Sequence, residues 1–478
     1  MYDLVVIGSG PAGEKGAAQA AYFGKRVALV ERESVPGGAS VNTGTVPSKT
    51  LRESALHLSG FRQRGFSECV DLRMKSITVG DFMYRKQVVV EREWKRIDDN
   101  FRRHHIDCYS GAASFQSPNR IEVKNSTGSI LLETKIALIA TGSSPYRPPT
   151  IPFDEETVCD SDTILKMREI PKSMAVVGAG VIGCEYATMF AALGVDVHLI
   201  DGRTTLLPHI DREIVRVLLG EMQTRLAIDL HLGVDVDSVV KENGEIKLTL
   251  KDGSITKVQK VLYAAGRSSN TAELNLEAAG VKVGSRGMVV VDEHYQTSTP
   301  NIYAAGDVIG FPALASTSME QARVAMVHAF DLKYKTSIAP ILPFGIYTIP
   351  ELSTVGLTEE QCRDQGIDYG VGRAHFRSNA RGQIIGDTKG IIKLVFNARD
   401  LKLLGVHIIG ENASELVHTG MMVMQFGGTI NAFIDSVFNY PTLSDAYKYA
   451  AYDGLGLVAR DATPSEKKRI PVKADLNT

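Results

Sequence analysis

The chain has 478 residues, of which 44% are hydrophobic and 23% charged, a composition typical of a globular protein with two to four domains. Its 53 basic and 55 acidic residues leave a formal charge of −2, which excludes a global positive field that would attract nucleic acid or an anionic membrane. No apolar run approaches the ~18 residues of a membrane span, and we expect no signal peptide because the N-terminus runs directly into a strand pattern. The cysteines are scattered and form no CxxC pair, which argues against a disulfide framework or a zinc site and favours a reducing compartment. They are Cys69, Cys108, Cys159, Cys184 and Cys362.

The first predicted elements form a βαβ unit. Tyr2–Ile7 is predicted as a buried strand, a helix follows to Tyr22, and Lys25–Glu31 is predicted as a second strand. The turn between the first strand and the helix has the GxGxxG pattern, whose glycines permit a tight turn, contact between pyrophosphate and backbone, and close packing of helix on strand. Glu31 follows the third glycine by 18 residues, where a carboxylate binds both ribose hydroxyls. We therefore predict a dinucleotide site, against the alternative of an ordinary glycine turn with a surface acid. The turn comprises Gly8, Ser9, Gly10, Pro11, Ala12 and Gly13.

The same pattern recurs about 170 residues later. Ser173–Val177 is predicted as a strand, Cys184–Leu193 as a helix and Val195–Asp201 as the next strand. Asp201 has the same offset as Glu31 and favours the free 2′-hydroxyl of NAD(H), whereas Arg203 is suited to the 2′-phosphate of NADP(H). The alternative for Arg203 is an ordinary solvated loop charge. The second turn comprises Gly178, Ala179, Gly180, Val181, Ile182 and Gly183.

The other segments define the organisation of the chain. Thr78–His104 is charged and periodic, which predicts a long exposed helix or a helical pair. Three short strands that end in small residues are expected to close the two units: Ile136–Gly142, Val261–Gly266 and Ile302–Asp307.

Beyond about Pro343 the pattern changes to that of an α+β domain. Gly390–Phe396 and Leu404–Ile409 flank the turn sequence NARD and predict a hairpin, followed by a helix at Ala413–Gln425. From about Arg460 the chain is polar, and we expect this tail to be mobile.

Taken in order, these motifs resemble the flavoprotein disulfide reductase family over about Met1 to Leu457. The motifs are the first GxGxxG turn with Glu31, GG…PSK at Gly37–Lys49, ATG ending at Gly142, the second turn with Glu185, GR at Gly266–Arg267, GDV at Gly306–Val308, YTIPE at Tyr347–Glu351 and YPT at Tyr440–Thr442. The resemblance implies an α/β fold with two doubly wound dinucleotide-binding domains, for FAD and NAD(P), and an α+β C-terminal dimerisation domain. The implied boundaries are 1–150 and 273–343 for the two parts of the FAD domain, 151–272 for the NAD(P) domain, 344–460 for the dimerisation domain and 461–478 for the tail.

Two functional positions of that family are changed here. Its redox cysteines correspond to Ser40 and Thr45, and hydroxyls cannot cycle between dithiol and disulfide. The acid–base histidine of its HPTxxE motif corresponds to Tyr440, with Asp445 in place of the glutamate. Disulfide reduction is therefore expected to be lost unless a scattered cysteine substitutes; Cys184 is the nearest in sequence, although we favour a packing role for it. We likewise favour packing at a dimer interface for Tyr440.

The residues that the family uses for its cofactors are otherwise present. By resemblance, Lys49 lies beneath the reactive edge of the flavin and pairs with Glu185, and these two are the expected catalytic residues. Asp307 is expected to bind the ribityl chain, and Ala315 to begin a helix near the flavin pyrimidine, although LASTS at Leu314–Ser318 departs from the family pattern. The other expected cofactor-binding residues are Gly8, Gly10, Pro11, Ala12, Gly13, Glu31, Arg32, Gly37, Gly38, Ala39, Ser40, Ala113, Thr141, Gly142, Gly178, Gly180, Val181, Ile182, Gly183, Asp201, Arg203 and Gly266.

The combination implies a flavoprotein that passes hydride from NADPH to flavin N5 and from there to NAD⁺, without a redox disulfide or a metal. Within the family, GTVPSK, GAGVIGCEYA, YTIPELSTVG and FNYPT are most similar to the soluble Si-specific transhydrogenase subgroup, which normally keeps the cysteine that Ser40 replaces here. Two alternatives stay open: a diaphorase that reduces a quinone or protein acceptor, and an inactive relative that acts as a binding module. We further expect a cytoplasmic homodimer or larger homo-oligomer.

Overall fold

The structure is a computed structural model that describes residues 1–59, 78–242 and 244–461. These residues form two units built on parallel sheets and a third built on an antiparallel sheet, which confirms the predicted α/β fold class. The predicted polar tail beyond residue 461 and Cys69 lie outside the described residues. Within the described ranges, no helix combines the length and the apolar character that crossing a bilayer requires.

The first unit is a parallel sheet that continues into an antiparallel meander. Its strands follow the order β3-β2-β1-β6-β5-β4. Leu4, Val5 and Val6 of the central strand are fully buried, because helices cover the face of Leu4 and Val6 and the antiparallel meander covers the face of Val5. The elements are β1 (Tyr2–Ile7), α1 (Pro11–Tyr22), β2 (Val27–Glu31), α2 (Gly38–Asn42), α3 (Thr45–Leu58), α4 (Val79–Arg103), β3 (Asp107–Ser110), β4 (Ala112–Ser117), β5 (Arg120–Asn125), β6 (Gly128–Ile139) and β7 (Ser143–Pro145).

The second unit repeats the parallel arrangement and adds a three-stranded antiparallel sheet. Its parallel strands follow the order β11-β10-β9-β15-β8, the antiparallel ones the order β12-β13-β14, and β16 pairs with β7 of the first unit. The elements are β8 (Val158–Asp160), β9 (Ser173–Val177), α5 (Val181–Ala192), β10 (Asp196–Asp201), α6 (Arg212–Thr224), β11 (Asp229–Leu232), β12 (Val236–Glu242), β13 (Glu245–Leu250), β14 (Ile255–Val258), β15 (Lys260–Tyr263) and β16 (Arg267–Ser269).

The chain then returns to the first sheet. Strand β17 (Ile302–Ala304) adds to β6 in parallel, with Ala304 opposite Ile139. Helix α7 (Ala315–Ala329) packs against α1. The first unit is therefore assembled from two separate stretches of the chain.

The third unit is α+β, and its antiparallel sheet has the order β18-β19-β22-β21-β20. The predicted hairpin is confirmed, since β21 and β22 pair in antiparallel fashion around the NARD turn. The elements are β18 (Phe344–Ile346), β19 (Leu352–Gly356), α8 (Glu359–Asp364), β20 (Tyr369–His375), α9 (Ala380–Ile384), β21 (Ile391–Asn397), β22 (Leu403–Ile409), α10 (Ala413–Gln425), α11 (Asn431–Asp435) and α12 (Ala446–Asp461).

Some element ends differ from the sequence prediction. Helix α5 begins at Val181 rather than Cys184, because the turn glycine Gly180 is itself the N-cap. The predicted short strand Ile136–Gly142 coincides with the end of the twelve-residue β6 only as far as Ile139, and β6 runs from the meander into the parallel sheet. Thr78–His104 is a single helix that starts in a capping box, in which Thr78 and Asp81 bond reciprocally.

Candidate active site

The two glycine-rich turns have nearly identical geometry. Their first glycines, Gly8 and Gly178, have φ angles of 102° and 106°, a region that favours glycine. A Cβ atom on the third glycines would stand 1.8 Å from the Gly8 carbonyl oxygen at Gly13 and 1.7 Å from the Gly178 carbonyl oxygen at Gly183. Gly180 has no atom within 4 Å of such a Cβ, so its backbone is open to a ligand. Both turns therefore present an open helix N-terminus of the kind that binds pyrophosphate.

The acid that ends the second strand of each unit is bonded back to its turn. Glu31 accepts the Ser9 N–H at 2.9 Å and the Ser9 hydroxyl at 2.5 Å, and also the Glu33 N–H at 2.9 Å. In the same way, Asp201 accepts the Ala179 N–H at 2.6 Å and the Arg203 N–H at 2.8 Å. Each carboxylate thus lies beside the turn, at the position where a nucleotide ribose would meet it.

Arg203 is fully engaged with Asp201. Its Nε lies 2.9 Å from Oδ1 and its Nη2 2.7 Å from Oδ2, so the guanidinium holds the carboxylate in a bidentate pair. With the two backbone N–H groups, four donors reach a carboxylate that offers about four lone-pair sites. Burial alone would raise the pKa of Asp201, but these bonds outweigh it and hold that pKa below its usual value. A ribose hydroxyl can therefore bond to Asp201 only after the guanidinium moves.

The segment between Gly37 and Lys49 forms α2 and the start of α3, directly beside the first turn. The Gly37 N–H donates to the Ser9 hydroxyl at 3.0 Å, which ties this segment to the GxGxxG turn. Ser40, Thr45 and Lys49 all line the cleft between the units. Hydroxyls therefore occupy the two places where the sequence resemblance expects sulfur.

An ion pair crosses the cleft from the first unit to the second. Lys49 Nζ on α3 lies 2.5 Å from Glu185 Oε2 on α5, and the Glu185 side chain is 5% exposed. The other oxygen of Glu185 accepts the Tyr347 N–H at 2.9 Å, and the Lys49 ammonium lies 5.0 Å from the centre of the Tyr347 ring. The buried carboxylate is thus satisfied on both oxygens, and the ammonium is held at the cleft surface.

A second network joins three motifs that are distant in sequence. Arg267 of the GR motif donates to the Ser143 hydroxyl at 2.8 Å and to its carbonyl oxygen at 2.6 Å. The Ser143 hydroxyl in turn donates to Asp307 Oδ2 of the GD motif at 3.0 Å. The Asn270 side-chain amide donates to the Thr141 backbone carbonyl at 2.9 Å, and the Asn270 backbone carbonyl accepts the Thr141 hydroxyl at 2.7 Å. These bonds fix the ATG loop against the wall of the cleft.

One continuous cleft of about 1850 Å³ contains both turns. This volume exceeds the ~300–1,000 Å³ of a typical single-ligand site and fits two nucleotides. Three of the predicted residues do not line it: Gly13 and Gly183 face the packing of helix on strand, and Gly37, with φ 101°, begins α2. The predicted residues that do line it are Gly8, Gly10, Pro11, Ala12, Glu31, Arg32, Gly38, Ala39, Ser40, Lys49, Ala113, Thr141, Gly142, Gly178, Gly180, Val181, Ile182, Glu185, Asp201, Arg203, Gly266, Asp307 and Ala315.

No cysteine among the described residues lines the cleft. Cys184 is fully buried, its Sγ lies 3.4 Å from the Ala179 carbonyl oxygen, and burial raises the pKa of its thiol. It therefore stays a thiol and packs in the core, so it supplies no redox partner. Tyr440 lies outside the cleft of its own chain and is 75% exposed.

A buried polar group beside the cleft also supports the binding of FAD and a nicotinamide nucleotide there. Within the described ranges, the buried Tyr186 Oη lacks a hydrogen-bond partner, and Tyr186 lines the cleft. Polar groups of this kind are normally satisfied, and a polar ligand in the cleft would satisfy this one.

Tyr347, Ser143 and Asn270 make contacts in the site that sequence patterns did not predict. Tyr347 belongs to the YTIPE motif and Ser143 directly follows ATG, so their motifs were recognised without their contacts. Asn270 acts through the backbone of a loop more than one hundred residues earlier, and no sequence signal marks such a contact.

Comparison with known proteins identifies two family models along the chain. The pyridine nucleotide-disulphide oxidoreductase model matches residues 2–329, and the dimerisation domain model of the same name matches residues 342–451.

The chain is also similar to curated proteins over nearly its full length. It is 46% identical over 454 residues to a soluble pyridine nucleotide transhydrogenase of Mycobacterium tuberculosis, covering 95% of this chain and 97% of that one. The protein of the same name from Pseudomonas putida is 41% identical over 458 residues, covering 95% and 98%. Among solved structures, the flavoprotein disulfide reductase RclA of Escherichia coli matches with a TM-score of 0.85 at 27% identity, covering 94% and 99%. LpdA of M. tuberculosis matches with a TM-score of 0.86 at 26% identity, covering 95% and 99%.

Proposed function

This chain belongs to the pyridine nucleotide-disulphide oxidoreductase family, and from that premise we propose that it is a soluble pyridine nucleotide transhydrogenase that uses FAD to exchange hydride between NADPH and NAD⁺. One observation carries the proposal: the cleft retains the Lys49–Glu185 ion pair and both nucleotide-binding turns, but has Ser40 and Thr45 where a disulfide would lie. Hydride exchange through a flavin needs the ion pair and the two nucleotide-binding turns, but it does not need a disulfide.

The first unit is suited to FAD and the second to the nicotinamide substrates. Bound FAD supplies a ring that takes a hydride from one nicotinamide and gives it to another. The turn at Gly8 and Gly10 offers N–H groups to the pyrophosphate, and Glu31 offers its carboxylate to the adenosine ribose. Asp307, held by the Ser143–Arg267 network, offers its second oxygen to the ribityl chain.

Lys49 is the charged group available to the reacting rings. The Lys49 side chain is 27% exposed and lines the cleft, so its ammonium would stabilise negative charge that develops on a bound flavin. Glu185, which also accepts the Tyr347 N–H, holds the ammonium in place, and this removes the cost of ordering it during the reaction. No proton has to reach a sulfur atom, so the absence of a histidine at position 440 does not hinder this reaction.

Asp201 and Arg203 accommodate both nicotinamide nucleotides. With NADP(H), the guanidinium leaves Asp201 and pairs with the 2′-phosphate. With NAD(H), it also leaves, and Asp201 accepts the ribose hydroxyls instead. Breaking the bidentate pair costs free energy in either case, and the new bonds to the 2′-phosphate or to the ribose hydroxyls offset that cost.

We place the protein in the cytoplasm as a homodimer or larger homo-oligomer. The third unit exposes apolar side chains that are typical of an interface, including Val437 at 95% and Tyr440 at 75%, and its family model is a dimerisation domain. We also propose that the domain boundaries lie at about residues 150, 272, 343 and 460.

Steady-state kinetics of the purified holoenzyme tests the assignment. We expect transfer from NADPH to thio-NAD⁺ with ping-pong behaviour. We also expect an anaerobic reductive titration that stops after one electron pair per bound flavin, because no thiol pair lines the cleft in the part of the chain that the structure describes.

Three other results would contradict the proposal in distinct ways. Rapid quinone or dye reduction without transfer to thio-NAD⁺ would indicate a diaphorase. Purification without bound flavin would indicate a binding module. Uptake of a second electron pair per flavin would indicate a redox disulfide.

A further inference from the structure

We propose that His198, Asp229 and His231 form a binding site for one divalent transition-metal ion of the Zn²⁺ class, outside the nucleotide cleft. His198 lies on β10, and Asp229 and His231 lie on the edge strand β11. One possible ligand atom from each side chain lies within 4.8 Å of those of the other two. The scattered cysteines speak against a zinc site with sulfur ligands, whereas the ligands here are two histidines and a carboxylate.

The distances between these atoms match those that a metal imposes on its ligands. His198 Nδ1 lies 3.2 Å from Asp229 Oδ2 and 3.3 Å from His231 Nε2, and His231 Nε2 lies 3.1 Å from Asp229 Oδ2. A tetrahedral zinc ion with bonds of about 2.0 to 2.1 Å holds its ligands about 3.3 to 3.4 Å apart. The triangle therefore needs to open by only a few tenths of an ångström, and a fourth position is left for water.

The strand register explains why the three side chains meet. In the parallel pairing of β10 with β11, His198 stands opposite Asp229 and Ile200 opposite His231. Residues 229 and 231 point to the same face because side chains alternate along a strand. The Gly233 N–H, which donates to the Asp201 carbonyl oxygen at 2.9 Å, continues the strand contact beyond His231. The backbone thus orients the ligands before an ion arrives.

The surroundings suit an ion that enters from solvent. The side chains of His198 and His231 are 19% and 22% exposed, so the rings are held in place, whereas Asp229 is 57% exposed and leaves the approach open. Asp196 Oδ2 lies 3.9 Å from His198 Nε2, on the side of the ring away from the cluster. A carboxylate there favours a proton on Nε2 and leaves Nδ1 free to bind the metal.

The site would join the edge strand β11 to β10, three residues before Asp201. None of its ligands lines the cleft, so the ion acts on the stability of the second unit and takes no part in hydride transfer. The alternative is an ordinary hydrogen-bonded trio, in which a ring N–H donates to Asp229. A metal site would take up one ion per chain, whereas the hydrogen-bonded trio would not.

The test is calorimetric titration of Zn²⁺ into untagged, chelator-treated holoenzyme. We expect one ion per chain, and in the double variant His198→Ala/His231→Ala binding weaker by about 100-fold or more. Co²⁺ should give the visible absorption of a tetrahedral site in the wild type and not in the variant. Zn²⁺ should raise the Tm of the wild type only.

A matched control comes from His294 and His328, whose rings stack with centroids 4.3 Å apart but whose nitrogens do not meet a carboxylate within the described residues. His294→Ala should bind Zn²⁺ as the wild type does. Lack of stoichiometric uptake by the wild-type protein would overturn the proposal without reference to any variant. The proposal would also be overturned if the folded double variant, or the triple variant that adds Asp229→Asn, took up Zn²⁺ as the wild type does. Transhydrogenase activity of the metal-free protein should be retained, so the two proposals fail separately.

Discussion

The Lys49–Glu185 ion pair contributes both to the stability of the fold and to hydride transfer, and substitutions can measure the two contributions separately. Lys49→Met would leave Glu185 buried with only the Tyr347 N–H as partner, and we expect unfolding to become easier by about 3 kcal/mol. We expect kcat for hydride transfer to fall about a hundredfold, since a fixed charge beside the reacting rings is removed. Urea unfolding and thio-NAD⁺ kinetics measure the two effects.

The double variant Lys49→Met/Glu185→Gln distinguishes between these effects. It removes the uncompensated charge and keeps an acceptor for the Tyr347 N–H, so stability should return while kcat stays low. Recovery of both stability and kcat would show that Lys49 serves only to neutralise Glu185.

We expect Arg203 to contribute more to the binding of NADPH than to that of NADH. Arg203→Ala removes the partner of the 2′-phosphate, and the KM for NADPH should rise about 10- to 100-fold because charge-assisted bonds of this kind contribute about 1.5–3 kcal/mol. The KM for NADH should stay unchanged or fall, since Asp201 then no longer has to release the guanidinium. Arg212→Ala, an exposed arginine of the same unit outside the cleft, serves as the control. An equal rise in both KM values would contradict this role.

At the scale of elements, the glycine-rich turns allow a matched pair of experiments. Gly13→Ala and Gly183→Ala each place a Cβ within 2 Å of a carbonyl oxygen and force the helix away from its strand. We expect the first variant to lose FAD, and the second to keep FAD but lose nucleotide turnover. Gly220→Ala, in α6 with open space around the Cβ position, should instead stabilise by about 0.5–1 kcal/mol. Flavin absorbance and stopped-flow reduction by NADPH would measure the outcome.

The βαβ units were predictable because their signals are local. Strand β1 and helix α1 are bounded by Gly8 and Gly10, whose roles follow from the chain itself. The length of β6 was not predictable, because a strand that passes from a meander into a parallel sheet shows both kinds of pattern in turn. The bidentate pair of Arg203 with Asp201 was also missed: the sequence places both residues in the site but does not show that they bind each other.

At the scale of the whole molecule, one buried cation connects the second unit to the third. Lys393 on β21 is 1% exposed, and its Nζ lies 2.8 Å from Asp211 Oδ2, which caps α6, and 2.8 Å from Glu359 Oε2 on α8. Glu213 Oε2 lies 3.0 Å away and also pairs with Arg373 at 2.7 Å. Sequence patterns gave no sign of this cluster, because its members meet only when the units pack together.

Lys393→Met should therefore show a pH-dependent loss of stability. Burial raises the pKa values of Asp211, Glu213 and Glu359, but their partners outweigh it and hold all three pKa values below the ordinary 3.8 and 4.5. These partners are His407 and Lys393 at Asp211, Arg373 and Lys393 at Glu213, and Lys393 at Glu359. The contribution of the three carboxylates is present above about pH 4.5 and is lost as the pH falls through the lowered values. The raised pKa of Lys393 places the upper limit above 10.5.

Within that window we expect the variant to unfold about 3–5 kcal/mol more easily than the wild type, because three carboxylates stay in place without their central cation. Below about pH 4 the difference should shrink, since protonated carboxyls no longer need a cation. Lys389→Met, at an exposed lysine of the same unit, should change stability by less than about 0.5 kcal/mol at every pH. Urea unfolding followed by fluorescence from pH 3.5 to 10 would measure the series. A difference between Lys393→Met and wild type that does not change with pH would show that Lys393 stabilises the junction by packing rather than by charge.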